Sequence, residues 1–247
     1  MSTAEATWPI FMAPLASRKE VAERTMAFQF KKPKGWTFKA GQFIDITIPN
    51  PPETDAEGNT RGSSIASAPQ EEFLMVATRL RDTAFKRSLK AVPLGTEVKI
   101  EGPFGNLVLH NNASRPCVLL AGGIGITPFR SILVRAAREK LAHRIFLFFT
   151  NRRPEDAPFL EELQALQGEN PNFHLIATMT EMDKSHSAWH GETGLIDPKM
   201  LSSHLKGIEN AIYYIAGPAA MVDGLHKVLN TTGIDDDDIR MEEFTGY

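Results

Sequence analysis

Leu119-Leu-Ala-Gly-Gly-Ile-Gly-Ile-Thr-Pro-Phe129 decides the fold, because an uninterrupted apolar run passes straight into glycines and then into a segment whose Pro128 suits a first helical turn. Strand, glycine turn and helix in that order suit a pyrophosphate. Glycine removes the Cβ where phosphate oxygens must approach the backbone, and N–H groups at a helix start donate to anions. Gly123, Gly125 and Pro128 give Gly-x-Gly-x-x-Pro, which departs from the Rossmann fingerprint in its last member. A tight strand-to-helix corner would use the same residues.

Outward from this turn the chain alternates buried strand and helix, the rhythm of a parallel sheet covered on both faces. Strands are predicted at residues 117–121, 145–150, 174–178 and 211–216, and helices at 128–139, 158–166, 198–205 and 219–230. A second glycine turn, Tyr213-Tyr-Ile-Ala-Gly-Pro-Ala-Ala-Met221, follows the last of these strands. The carboxyl ends of parallel strands form the ligand crevice of open α/β sheets, and Ala216 and Gly217 are small enough to admit a flat ring. A tight corner is again the bland alternative. The acidic run 235–238 reads as a solvated turn.

Toward the N-terminus the rhythm is different. Short alternating strands are predicted at 25–30, 42–48, 73–80 and 97–101, bounded by Pro33-Lys-Gly35, Pro69 and Gly102-Pro103. One helix interrupts them at 84–91, where Phe85, Leu89 and Val92 share a face. Residues 50–60 are polar, with two prolines and Gly58, and read as a surface loop. Several strands at short spacing suggest a small barrel. Asn111-Asn-Ala-Ser114 is a polar turn between the two rhythms, so the expected units are residues 1–112, a β-barrel, and 113–247, an α/β domain.

Composition narrows the function classes. The 247 residues carry a formal net charge of -3, which offers no basic excess to nucleic acid. Cys117 is the only cysteine, so this chain has no internal disulfide, and it cannot alone hold a four-cysteine zinc site or an iron–sulfur cluster. No metal is expected. The longest apolar windows fall far short of the ~20 residues that span a bilayer, and no basic stretch followed by an apolar export segment opens the chain. A cytoplasmic, unanchored monomer is expected.

Six ordered motifs carry a resemblance: Gly41-Gln-Phe43, Arg61-Gly-Ser-Ser-Ile-Ala-Ser67, Gly102-Pro-Phe-Gly105, Gly122-Gly-Ile-Gly-Ile-Thr-Pro128, Ala216-Gly-Pro218 and Glu242-Glu-Phe244. Together they span nearly the whole chain, which resembles the ferredoxin–NADP reductase family of the two-domain type without an iron–sulfur domain. The resemblance implies an antiparallel Greek-key barrel that binds FAD, then a parallel-sheet domain that binds NADH or NADPH. The activity implied is passage of electrons from the nicotinamide through FAD to a separate acceptor, such as ferredoxin, flavodoxin or an oxygenase component.

The same resemblance assigns residues. Arg61 and Ser64 take the places of an arginine on the FAD pyrophosphate and a hydroxyl near the flavin N5, and a guanidinium fork suits a diphosphate. Ser63 departs from the pattern: the family has an aromatic there that covers one side of the flavin, and serine cannot stack, although a neighbour such as Phe43 could compensate. Thr83, Ala84 and Phe85 are implied near the FAD phosphates, while Lys86 reads as an exposed helix lysine. Gly122, Gly123, Gly125, Thr127 and Pro128 with Ala216, Gly217, Pro218 and Met221 are implied to hold the nicotinamide nucleotide. Alanine at 216 replaces a frequent cysteine, so hydride transfer would depend on alignment. Ser64, Glu242 and Phe244 are the implied catalytic group, with Phe244 or Tyr247 covering the flavin and yielding to nicotinamide.

Selection between the nicotinamide cofactors stays open at this level. Arg152 and Arg153 would suit a 2′-phosphate, whereas the carboxylate in Thr180-Glu-Met182 would repel one, which leans toward NADH. A free-flavin or quinone reductase, or a non-catalytic subunit that merely retains FAD or nucleotide, is the alternative.

Overall fold

The computed structural model describes residues 8–244. Its first half comprises β1 (Ile10–Ala22), β2 (Thr25–Lys31), β3 (Phe43–Thr47), β4 (Thr60–Ser64), β5 (Phe73–Arg79), the helix α1 (Ala84–Ala91) and β6 (Glu97–Phe104). The six strands are antiparallel, in the order β4-β3-β6-β1-β2-β5. An antiparallel bridge from Ile65 to Val76 carries the end of β4 onto β5, so the two edges meet and the sheet closes. Alternation fills the interior: Phe28, Phe30, Ile44, Ile46, Val98 and Ile100 all point inward, and Phe85 and Leu89 of α1 join them.

Two of these strands were not expected. In β1, Pro14 argues against a strand interior, and it falls where β1 changes partner, pairing with β6 through Ile10 to Pro14 and with β2 from Leu15 onward. In β4, Thr60-Arg-Gly-Ser-Ser64 carries no apolar alternation, because an edge strand need bury little of itself.

The second half is β7 (Cys117–Gly122), α2 (Ile126–Arg138), β8 (Ile145–Asn151), α3 (Leu160–Glu169), β9 (Phe173–Met179), β10 (Glu192–Thr193), α4 (Pro198–His204), β11 (Ile212–Pro218), α5 (Ala219–Thr231) and β12 (Ile239–Phe244). The strands are parallel, in the order β10-β9-β8-β7-β11-β12. Side chains of α2 and α3 cover one face, and Met200, Leu201, Val222, Leu225 and Leu229 of α4 and α5 cover the other. Burial pushes the Cys117 thiol up, so this sulfur is inert. Among the described residues, no helix is long and apolar enough to cross a membrane, and no three His, Cys, Asp or Glu side chains are grouped as metal ligands.

Two details differ from the predicted elements. Helix α2 starts at Ile126 after a 3-10 turn over Gly123–Gly125, so Pro128 is its third residue, still within the turn whose N–H groups lack helical partners. Residues 239–244, where no strand is predicted, form β12, paired in parallel with β11 from Tyr213↔Ile239 to Pro218↔Phe244.

The halves share a core. Ala27, Ala66, Met75 and Ala77 of the barrel pack in one cluster with Phe129, Ile132 and Leu133 of α2. Across that seam Arg130, 5% exposed, uses all five of its N–H donors. Nε reaches Glu162 at 2.8 Å, Nη1 reaches the Ala66 carbonyl at 2.6 Å and Glu71 at 3.0 Å, and Nη2 reaches Glu71 at 3.2 Å and Glu162 at 2.5 Å.

Candidate active site

A cleft of about 440 Å³ opens between the barrel and the parallel sheet. Ser63 and Ser64 of β4, Phe43 of β3, Lys86 of α1, and Gly105 and Asn106 line it from the barrel, and Ile124, Thr127, Glu242 and Phe244 from the α/β half. Topology explains the meeting: β4 is an edge strand of the barrel and β12 an edge strand of the second sheet.

Ser64 is 8% exposed, and its Oγ donates to Glu242 Oε1 at 3.0 Å. Burial raises the Glu242 carboxyl above its ordinary range, and the Ser64 hydrogen bond offsets this only in part. The site therefore contains a hydroxyl and a carboxyl that holds its proton more tightly than an exposed one. Phe244 closes the same wall. Tyr247, its rival from the sequence, lies outside the described residues.

Register settles how Phe43 relates to Ser63. Ser63 is paired with Ile44 and Ser64 with Phe43, so Phe43 shares the sheet face of Ser64 and lies opposite to that of Ser63. Its ring leans on Gly105, where a Cβ would stand 2.9 Å away, and packs 5.5 Å from Phe104. Phe43 thus supplies an aromatic wall to the cleft, yet it does not stand in for the missing aromatic at 63.

Beyond Ser63 the barrel presents cations. Arg61 is on the face of Ser63 and lies 5.3 Å over the Phe85 ring, while Phe85 itself turns into the barrel core. Thr83 caps α1, its Oγ1 accepting from Lys86 N at 3.4 Å. Lys86, read from sequence as an exposed lysine, is partly buried and lines the cleft. Burial lowers its pKa, Arg81 and Arg61 lower it further, and the one carboxylate acting the other way is Glu57, which already pairs with Arg61 at 2.7 Å. A desolvated ammonium beside two guanidiniums fits a ligand carrying concentrated negative charge. A dinucleotide pyrophosphate is such a ligand, and Arg61, Lys86 and the start of α1 are the residues that would hold it.

On the opposite wall the glycines divide into two kinds. A Cβ on Gly125 would run into the Ala216 carbonyl, one on Gly122 into the Met221 sulfur, and one on Gly217 would come within 2.5 Å of Met221 Cε. These three let the two glycine turns pack against each other, with Met221 between them. Gly123 differs: its φ is +52° and a Cβ there would meet nothing within 4 Å. Of the four, Gly123 is the one facing open space, with cleft-lining Ile124 and Thr127 beside it.

The two arginines also separate. Arg153 is fixed by Asp156 at 2.8 Å and by Glu23 of the β1–β2 turn, so its guanidinium ties the halves together and is not free for a nucleotide. Arg152 is 66% exposed and lies 3.7 Å from Glu181, which also pairs with Lys184 at 2.8 Å.

Comparison with known proteins agrees with the fold. Residues 119–227 match the oxidoreductase NAD-binding domain. The chain is 26% identical over 240 residues to the toluate 1,2-dioxygenase electron transfer component of Pseudomonas putida, covering 95% of this chain and 67% of that protein. It is 25% identical over 224 residues to the reductase component of the glycine betaine monooxygenase of Chromohalobacter salexigens, covering 90% of this chain and spanning only 60% of that protein. In fold it is similar to a ferredoxin NADP+ reductase from Neisseria gonorrhoeae solved with bound FAD and NADP, at a TM-score of 0.77 and 21% identity over 97% of this chain and 99% of that one. Closed antiparallel barrel, parallel sheet and matched NAD-binding segment together give this chain the fold of the ferredoxin reductase-like proteins, with an oxidoreductase NAD-binding domain matched over residues 119–227.

Proposed function

We propose that this chain is a flavoprotein reductase that takes electrons from NADH or NADPH and passes them through FAD to a separate acceptor. The observation that carries the reading is the convergence of Ser64, Glu242 and Phe244 on a cleft whose barrel wall holds a desolvated lysine, Lys86, and whose other wall begins at an open glycine turn. The electron-transfer name of the Pseudomonas relative supports a redox protein or oxygenase component as acceptor.

FAD, when bound, supplies a ring that accepts two electrons as hydride and can release them singly. The chain's own residues do the rest. Arg61 and Lys86 neutralise the diphosphate, and the N–H groups at the start of α1 add donors. Ser64 would set its hydroxyl beside the ring, and its hydrogen bond to Glu242 Oε1 would fix where that hydroxyl points. Phe244 excludes water from the cleft until nicotinamide takes its place. Gly123, Thr127 and the start of α2 receive the nicotinamide nucleotide, while Ala216, Gly217 and Pro218 border it. NADH is the preferred donor, because Glu181 stands against Arg152 where a 2′-phosphate would be repelled. Residues 1–112 and 113–247 are the two working units, and the protein acts as a cytoplasmic monomer.

The test is direct. Purified protein should be yellow, with absorbance near 450 nm that bleaches anaerobically on adding NADH and returns when an acceptor is supplied. Protein that holds FAD but is bleached by neither NADH nor NADPH would overturn the reading.

A further inference from the structure

Arg61 and the start of α1, assigned above to the cofactor diphosphate, already have occupants, and these come from one loop. Residues 50–59 cross the barrel end between β3 and β4, and their carboxylates are laid along the start of α1. Asp55 is the central contact. Its Oδ2 accepts from the Ala84 N–H at 3.1 Å, and its Oδ1 lies 3.6 Å from Arg61 Nη2. One carboxylate thus bridges a helix-start amide and a guanidinium, the pairing of donors that a phosphate would take. Glu57 adds a second anion, its Oε2 2.7 Å from the same Nη2. Arg61 Nη1 turns to the loop backbone, donating to the carbonyls of Glu57 at 2.9 Å, Gly58 at 3.2 Å and Thr60 at 2.7 Å. At its N-terminal side the loop is moored by Glu53, which takes a two-point bond from Arg87 at 2.7 and 2.5 Å.

Among the described residues Lys86, beside these groups, has no carboxylate within ion-pair distance, although the charge of Glu57 acts on it. The loop therefore satisfies two of the three positive features and leaves the third unpaired. The contacts are also of a kind that can be exchanged: Glu57 is 70% and Asp55 35% exposed, and ion pairs at such sites are weak. Gly58, with φ +75° and nothing within 4 Å of a Cβ, gives the backbone a pivot next to the strand.

We propose that the 50–59 loop is a carboxylate strap, in which Asp55 and Glu57 occupy the diphosphate positions on Arg61 and α1 and must be displaced when FAD binds. The strap lowers FAD affinity and shields the cations when the cofactor is absent. This rests on the flavin reading above.

The experiment measures FAD affinity of full-length apoprotein by quenching of flavin fluorescence, for the wild type, Asp55→Asn, Glu57→Gln and the double variant, with Asp82→Asn as control. Asp82 is 91% exposed and pairs with Arg87, the residue that moors the loop through Glu53, so Asp82→Asn removes a nearby negative charge without touching Arg61 or Ala84. The double variant should bind FAD about tenfold more tightly and the control within about twofold of wild type. In hydrogen exchange, the Ala84 amide of the apoprotein should exchange faster in Asp55→Asn than in wild type. Equal or weaker FAD binding by the double variant, or an equal gain in Asp82→Asn, would overturn the strap while leaving the flavin reading intact wherever wild type binds FAD. Failure of wild type and double variant alike to bind FAD would overturn both.

Discussion

Ser64 and Glu242 stand 178 positions apart in the chain, one on the barrel edge and one on the last strand of the parallel sheet, yet they share a 3.0 Å hydrogen bond. Because burial raises the Glu242 carboxyl above 4.5, the native state holds this proton to higher pH than the unfolded chain does. Stability therefore falls as pH rises from the unfolded value through the raised folded one, and the loss persists above it. Glu242→Gln keeps an acceptor for Ser64 but carries no charge. Its Tm at pH 7 should exceed that of wild type by ~2–4 °C, and the gap should close below about pH 4. A gap that is constant with pH would rule out the buried charge as its cause.

The two kinds of glycine predict opposite profiles. Gly125→Ala drives a methyl into the Ala216 backbone and should cost about 2–3 kcal/mol in urea unfolding. Gly123→Ala enters open space at a positive φ and should cost only about 1 kcal/mol. Its effect should appear instead as a severalfold rise in KM for the nicotinamide nucleotide, since the methyl fills space a phosphate would use. If Gly123→Ala left KM unchanged, the open turn would not be the nucleotide's seat.

Arg130 is the strongest single tie across the seam. Burial alone would raise the Glu71 carboxyl, but the Arg130 hydrogen bonds and charge outweigh it and hold Glu71 below its ordinary 4.5. The pair thus contributes stability above 4.5 that is lost as pH falls through the lower folded value. Arg130→Met should cost about 2–3 kcal/mol, because it leaves the partly buried Glu71 with only the Ala68 N–H and Arg138 at 4.0 Å. Thermal melts of that variant should also lack the stability gained from the Glu71 pair above pH 4.5. A loss under 1 kcal/mol would mean that the apolar seam holds the halves together unaided.

Arg153→Ala should leave the ratio of kcat/KM for NADH and NADPH within about twofold while lowering Tm, since Asp156 and Glu23 already take its donors. Glu181→Lys should instead shift that ratio toward NADPH by about tenfold. A large change in preference from Arg153→Ala would return that residue to the nucleotide site.

Much of the fold is legible before any coordinates. Apolar runs without polar interruption gave β7, β8, β9 and β11 to within a residue or two, because a strand covered on both faces has no other way to be written. Residues 239–244 escaped as a strand because Arg240, Glu242 and Glu243 belong to an edge, where burial is partial. At the site, Ser64, Glu242 and Phe244 were reached through motif order and the structure gathers them. Which glycines touch each other and which face space depends on two turns roughly ninety residues apart, and no local pattern encodes that approach. Lys86 and Arg153 illustrate the same limit: a cation's role follows from which carboxylates the fold brings to it.

The seam built from Arg130, Arg153 and a common apolar cluster has a kinetic meaning. Spreading the halves like a book would tear the Arg130 guanidinium from Glu71 and the Ala66 carbonyl, part Arg153 from Glu23 and open a dry interior. Entry to the cleft must therefore proceed by the swing of a ring or the lift of a short loop, and turnover in this protein should be governed by movements of a few residues between walls that stay put.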